Sequence, residues 1–172
     1  MKEEITVELP GVGHFRFKAY PTMADHLRVD QVRRSYIPDE TYQDLSNRLA
    51  QIKMQINDIN RSRYGDEKYN EITGKLSRFY DKQLLEPLTE EESREYAGLV
   101  AMTYHPQFSP LMIELNTRLS NLDNLAMLTA MAINTPVPVT DLTPSQFADL
   151  WGAYEVSRRP FSRKPETTVA GS

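Results

Sequence analysis

The sequence predicts a mostly helical α+β fold: an N-terminal β-hairpin followed by a helical domain with an αα-hairpin arm. Three observations predict it. Ile5, Val7 and Leu9 alternate with Glu4, Thr6 and Glu8, the two-residue period of a half-buried strand. Tyr42, Leu45, Leu49, Ile52, Ile56 and Ile59 recur at alternating steps of three and four, the narrow seam of a helix lying along another helix. From Thr89 onward, cap residues and prolines mark off a series of further helices.

Taken in order, Phe15, Phe17 and Ala19 alternate with Arg16 and Lys18 as a second strand, and Pro10-Gly11-Val12-Gly13 is the turn between the two. An isolated hairpin is marginal in water, so its apolar face must cover something. Pro21 ends the second strand, and Thr22 with Asp25 three residues on forms an acidic variant of the capping box. The helix that follows has a partial apolar face of Leu27, Val29, Val32 and Tyr36. Pro38-Asp39-Glu40 opens the seam helix with proline and acid in its first turn. That helix stops near Gly65. Tyr69, Ile72, Leu76 and Phe79 form a second stripe out of phase with the first, so a turn at Gly65-Asp66 with antiparallel return lets the stripes meet.

Thr89-Glu90-Glu91-Glu92 is a capping box that starts a helix with Tyr96, Leu99, Val100 and Met102 on its buried side. Met112, Leu115, Leu119 and Leu122 repeat again, and the apolar character continues through Leu125, Met127, Leu128, Met131 and Ile133, the best candidate for a central buried helix. Pro136 to Val139 is an extended connector. Thr143-Pro144-Ser145-Gln146 opens the last helix, whose apolar face is Phe147, Leu150, Trp151 and Tyr154. The expected organisation is one domain over 1–159: a hairpin at 1–20, a helix at 22–37, the arm at 38–84 and a helical core at 89–158, with 160–172 as a flexible tail.

The chain of 172 residues is long enough for a self-sufficient core. It has no cysteine, which excludes disulfides and thiol chemistry. No secretory leader and no membrane-spanning run is expected, and the net charge of −4 does not point to nucleic acid. Asn60-Arg61-Ser62 matches a glycosylation acceptor, which is read as accidental. His14, His26 and His105 lie far apart with no second ligand at helical spacing, so no metal site, cofactor or catalytic residue is expected, nor an enzyme. Glu90 to Glu92 suit a helix N-terminus. Met102, Met112, Met127 and Met131 fit core filling or an adaptable groove.

The candidate protein-binding residues are the seam, Tyr42, Leu45, Leu49, Ile52, Ile56 and Ile59, and a basic C-terminal group, Arg158, Arg159 and Phe161, with Arg163 and Lys164 beyond. The seam can serve the fold or a partner, including a second copy of the chain.

The block Gly13-His14-Phe15-Arg16-Phe17-Lys18-Ala19-Tyr20-Pro21-Thr22-Met23-Ala24-Asp25, running into Val32-Arg33-Arg34, resembles the opening of tailed-bacteriophage tail assembly chaperones. In that group a short strand with a Phe-Arg-Phe pattern leads to Pro-Thr, an Asp and then a helix with basic residues. The likeness covers about the first fifth of the chain, and a late Trp151 fits it. It implies a non-enzymatic protein that binds the long, aggregation-prone tape measure protein in the host bacterial cytoplasm while tail tube subunits assemble. The alternatives are a structural component of the virion, such as a connector, tail or capsid-associated subunit, and a regulator that contacts nucleic acid through Arg158, Arg159, Arg163 and Lys164.

Overall fold

A computed structural model describes residues 4–83 and 86–162, the last four by their backbone alone. The fold is α+β and mostly helical. Strands β1 (Glu4–Leu9) and β2 (Gly13–Lys18) are followed by helices α1 (Met23–Tyr36), α2 (Asp39–Tyr64), α3 (Asp66–Gln83), α4 (Glu90–Thr103) and α5 (Ser109–Met131). A short strand β3 (Ala132–Asn134), a 3-10 turn at Val139–Asp141 and helix α6 (Pro144–Ser162) complete it.

The single domain expected from length is organised as two compact units. One comprises residues 1–39 and 120–172, the other residues 40–119.

In the first unit, β1 and β2 pair antiparallel with Ile5 opposite Phe17 and Val7 opposite Phe15. The alternation works as the sequence predicts: Ile5, Val7, Leu9, Phe15 and Phe17 are buried while Glu4, Thr6, Glu8, His14 and Arg16 face outward. The buried face packs on Leu128, Ala130 and Met131 of α5 and on Leu150 and Tyr154 of α6. The Phe17 and Tyr154 rings meet edge to face, 5.1 Å between centroids. The hairpin is one part of a three-stranded sheet in the order β1-β2-β3, with an irregular register between Arg16 and Phe17 where β3 pairs. The apolar run does not stay helical through Ile133, as the sequence suggested. Helix α5 ends at Met131 and Ile133 is exposed on the sheet.

In the second unit, α2 and α3 are joined at Gly65, whose φ of +79° is the left-handed conformation that ends a helix most cheaply at glycine. Near this turn, the Tyr69 hydroxyl bonds Asn57 Oδ1 at 2.6 Å and Arg61 bonds Asp66 at 2.8 Å. The α2 stripe closes on the first half of α5: Leu49, Ile52 and Ile56 form a buried cluster with Leu115 and Leu119, and Tyr42, Leu45 and Phe108 pack at its margin. Helix α3 instead meets α4, through the Phe79–Tyr96 ring pair and the ion pairs Lys75–Glu95 and Lys82–Glu92.

Helix α4 begins in the predicted capping box: the Thr89 hydroxyl accepts from the Glu92 amide and the Glu92 carboxylate accepts from the Thr89 amide. Its other end is finished by α2. Asn60 Nδ2 donates to the Thr103 carbonyl at 3.1 Å and the Tyr64 hydroxyl donates to the Met102 carbonyl at 3.0 Å. Asn60 is only 2% exposed and lies inside α2, near its C-terminal end, with its amide engaged, so it is not placed as a glycan acceptor.

Helix α6 runs on past residue 158 to Ser162, so the expected tail at 160–172 begins as helix. Its remainder, residues 163–172, lies outside the described residues.

Candidate protein-binding surface

The sequence-predicted site residues separate into three groups. Leu49, Ile52 and Ile56 are buried and Tyr42, Leu45 and Ile59 half-buried. Of the two roles open to the seam, fold or partner, the structure uses it for the fold: five of these six side chains are engaged with α5 inside the chain. The reason is that α5 carries a stripe of the same spacing, and burying both removes apolar area from water on each side. Arg158 is half-buried, 3.7 Å from Glu155, with its guanidinium 5.7 Å from the centre of the Tyr154 ring. It is engaged along its own helix. The side chains of Arg159 and Phe161, and all of Arg163 and Lys164, lie outside the described residues.

The methionines mostly pack. Met131 is buried and Met112 and Met127 border the two cores. Glu92 is held down to about 2 by the Lys82 ammonium and the Thr89 amide, as a carboxylate at a helix start should be. Among the described residues no group of three His, Asp or Glu side chains is placed to hold a metal ion, and no helix is long and apolar enough to cross a membrane.

The outer face of α1 is one of several places where the structure leaves large apolar side chains in solvent, Met54, Tyr80 and Val156 being others. Its base is a joint of hydrogen bonds and one ion pair between the end of β2 and the start of α1. Phe15 and Phe17 anchor β2 in the core, and Ala19 follows them inward. At the entry to α1 the Asp25 carboxylate accepts from the Thr22 amide at 2.9 Å, from the Thr22 hydroxyl at 2.8 Å and from the Lys18 ammonium. The Asp25 amide in turn donates to the Thr22 hydroxyl at 3.2 Å. The ammonium, then the Thr22 donors, hold this buried carboxyl well below its ordinary range despite burial, which acts the other way. Farther along, the Tyr36 hydroxyl lies 3.2 Å from Thr129 Oγ1 on α5.

This anchoring fixes which face of α1 turns inward. Asp25, Val29, Val32, Arg33 and Tyr36 are buried or half-buried. Leu27 is not on that face, contrary to the sequence reading, because two residues before Val29 is about 200° around a helix. It is 62% exposed, and Met23, one turn earlier on the same row, is 76% exposed. Ala24 and Arg28 form the exposed row beside them. Two large apolar side chains at i and i+4 on the outside of a helix pack on each other but leave most of their area in water. Sequence reasoning overlooked Met23 and misplaced Leu27; the signal was their spacing, out of phase with Val29 and Tyr36.

Comparison of the chain with protein-family models, with curated proteins and with solved structures gives no match.

Proposed function

We propose that this protein is a non-enzymatic binding factor of phage tail assembly that holds a long helical client, the tape measure protein, in soluble form. The alternative within the same biology is a structural component of the virion. The observation that carries the proposal is the outer row of α1, Met23 and Leu27, left uncovered at the end of a tightly bonded strand-to-helix joint. That joint coincides with the block that resembles tail assembly chaperones. A chaperone of this kind needs apolar contact points on a stable element and a preference for the client's exposed state over its assembled one. An exposed apolar pair on a pinned helix supplies the contact points.

The test is co-expression of the full chain with the tape measure protein of its own phage. The expected result is that the tape measure protein moves from the pellet to the supernatant and co-purifies with the chain. Equal precipitation with and without the chain sinks the proposal. Co-purification with mature tails, but not with free tape measure protein, moves the assignment to the virion component.

A further inference from the structure

We infer that α5 carries a built-in break point: the turn from Ser120 to Asp123 opens while the core on either side of it stays folded, so that the two units unfold separately. The break point is independent of what the protein binds.

The chain passes between the two units twice. The first passage, at Asp39 and Glu40, follows a stretch that is not helical: Ile37 is extended and Pro38 comes next. The second lies inside α5, between Leu119 and Ser120. Helix α5 therefore serves two cores. Leu115 and Leu119 pack in the cluster of the α2 seam, and Leu128, Ala130 and Met131 pack under the sheet. Between these anchors stand Ser120, Asn121, Leu122, Asp123 and Asn124. Ser, Asn and Asp are poor residues for a helix interior, because their short polar side chains compete for the backbone and favour caps. Leu122 is half-buried and, among the described residues, belongs to neither core.

The same stretch holds the means to restart a helix. Ser or Thr followed three residues on by an acid or glutamine stands at Thr22–Asp25, Thr41–Asp44, Thr89–Glu92, Ser120–Asp123 and Thr143–Gln146. Three of these boxes open α1, α4 and α6. Thr41 lies in the first turn of α2. Ser120–Asp123 alone falls in the middle of a helix, at the unit boundary. Opening there releases the amides of residues 120–123 from the carbonyls four positions earlier. The box can recapture two of them, the Ser120 amide on the Asp123 carboxylate and the Asp123 amide on the Ser120 hydroxyl. The amides of Asn121 and Leu122 are left to water. The opening thus has a low cost at this turn and a higher one anywhere the helix is tied into a core.

Hydrogen exchange of the full chain, followed amide by amide by NMR, tests this. Relative to their intrinsic rates, Asn121 and Leu122 should exchange at least about tenfold faster than Leu119 and Ala126, with little dependence on low urea, as local opening exposes little surface. Even protection along α5 overturns the inference. Ser120→Ala and Asn121→Ala raise helix propensity by similar amounts, but only the first removes the cap. Ser120→Ala should therefore slow the exchange of Leu122 roughly threefold more than Asn121→Ala does. Equal slowing overturns the inference in favour of general helix propensity.

A core variant tests the separation of the units. Ile52→Asp disrupts the core of residues 40–119, whereas Trp151 reports on the other unit. Ellipticity should be lost at lower urea while the midpoint of the Trp151 emission change stays at the wild-type value. A single transition in which both signals move together overturns the inference.

Discussion

Removing the Asp25 carboxylate tests the joint that aims α1. Asp25→Ala deletes three contacts in one step: the Thr22 amide, the Thr22 hydroxyl and the Lys18 ammonium. Loss of the cap interaction costs about 1 kcal/mol. A hydrogen bond to a charged group adds about 1.5–3 kcal/mol in a protected setting. The Lys18 side chain is 41% exposed, so water takes over much of its solvation and the low end applies. The sum is about 2–3 kcal/mol. At this chain length each kcal/mol moves Tm by roughly 2–4 °C, so a fall of roughly 5–10 °C is expected. Urea unfolding followed by Trp151 emission measures it well, because Trp151 is the only tryptophan and borders the core that β2 anchors. The pH dependence supplies a second readout. The folded carboxyl titrates below its ordinary value of 3.8, so its contribution is complete above that value and is lost as pH falls through and below about 4. Asp25→Asn removes that component and should flatten the acid limb of the stability curve. A loss under about 0.5 kcal/mol for Asp25→Ala, with an unchanged acid limb for Asp25→Asn, would refute the account of the joint.

Three other outcomes are expected. Ile52→Asp places an unpaired charge among Leu115 and Leu119 and should cost at least about 4 kcal/mol, visible as lost ellipticity at lower urea; unchanged melting would mean that the seam is not core. Gly13→Ala should cost more than about 1–2 kcal/mol, since φ there is +134° and an added Cβ would sit 3.2 Å from Pro136, and Pro136→Ala in the same chain should recover part of the loss in a thermal melt. Asn60→Ala leaves the Thr103 carbonyl without its side-chain donor and should lower stability by about 1–2 kcal/mol, whereas Ser62→Ala, on the exposed side, should be silent in the same titration.

The parts of the fold written in neighbouring residues were legible. The alternation around Val7 and Phe15 and the caps at Thr22, Thr89 and Thr143 each act within a few positions, and each forms as the pattern predicts. What sequence could not settle was choice among equivalents. The stripe from Tyr42 to Ile59 had two candidates of the same three-and-four spacing, on α3 and on α5, and periodicity does not rank them. Strand β3 was missed because Ala132–Asn134 continues an apolar run, and only its pairing with Arg16 and Phe17 makes it a strand. The α1 face was misread for a related reason. Leu27 is apolar, but which side of a helix turns inward depends on where Asp25 and Tyr36 are tied.

The two ends of α4 have different origins. Its beginning is written locally, in four consecutive residues from Thr89. Its end is completed from α2, by Asn60 and Tyr64 some forty positions earlier in the chain. A peptide spanning residues 87–105 should therefore hold most of its helix at the first turn and fray from its last. In the growing polypeptide the order is reversed: the side chains that finish α4 are made before α4 itself, so the last turn can form as soon as it is synthesised and meets them.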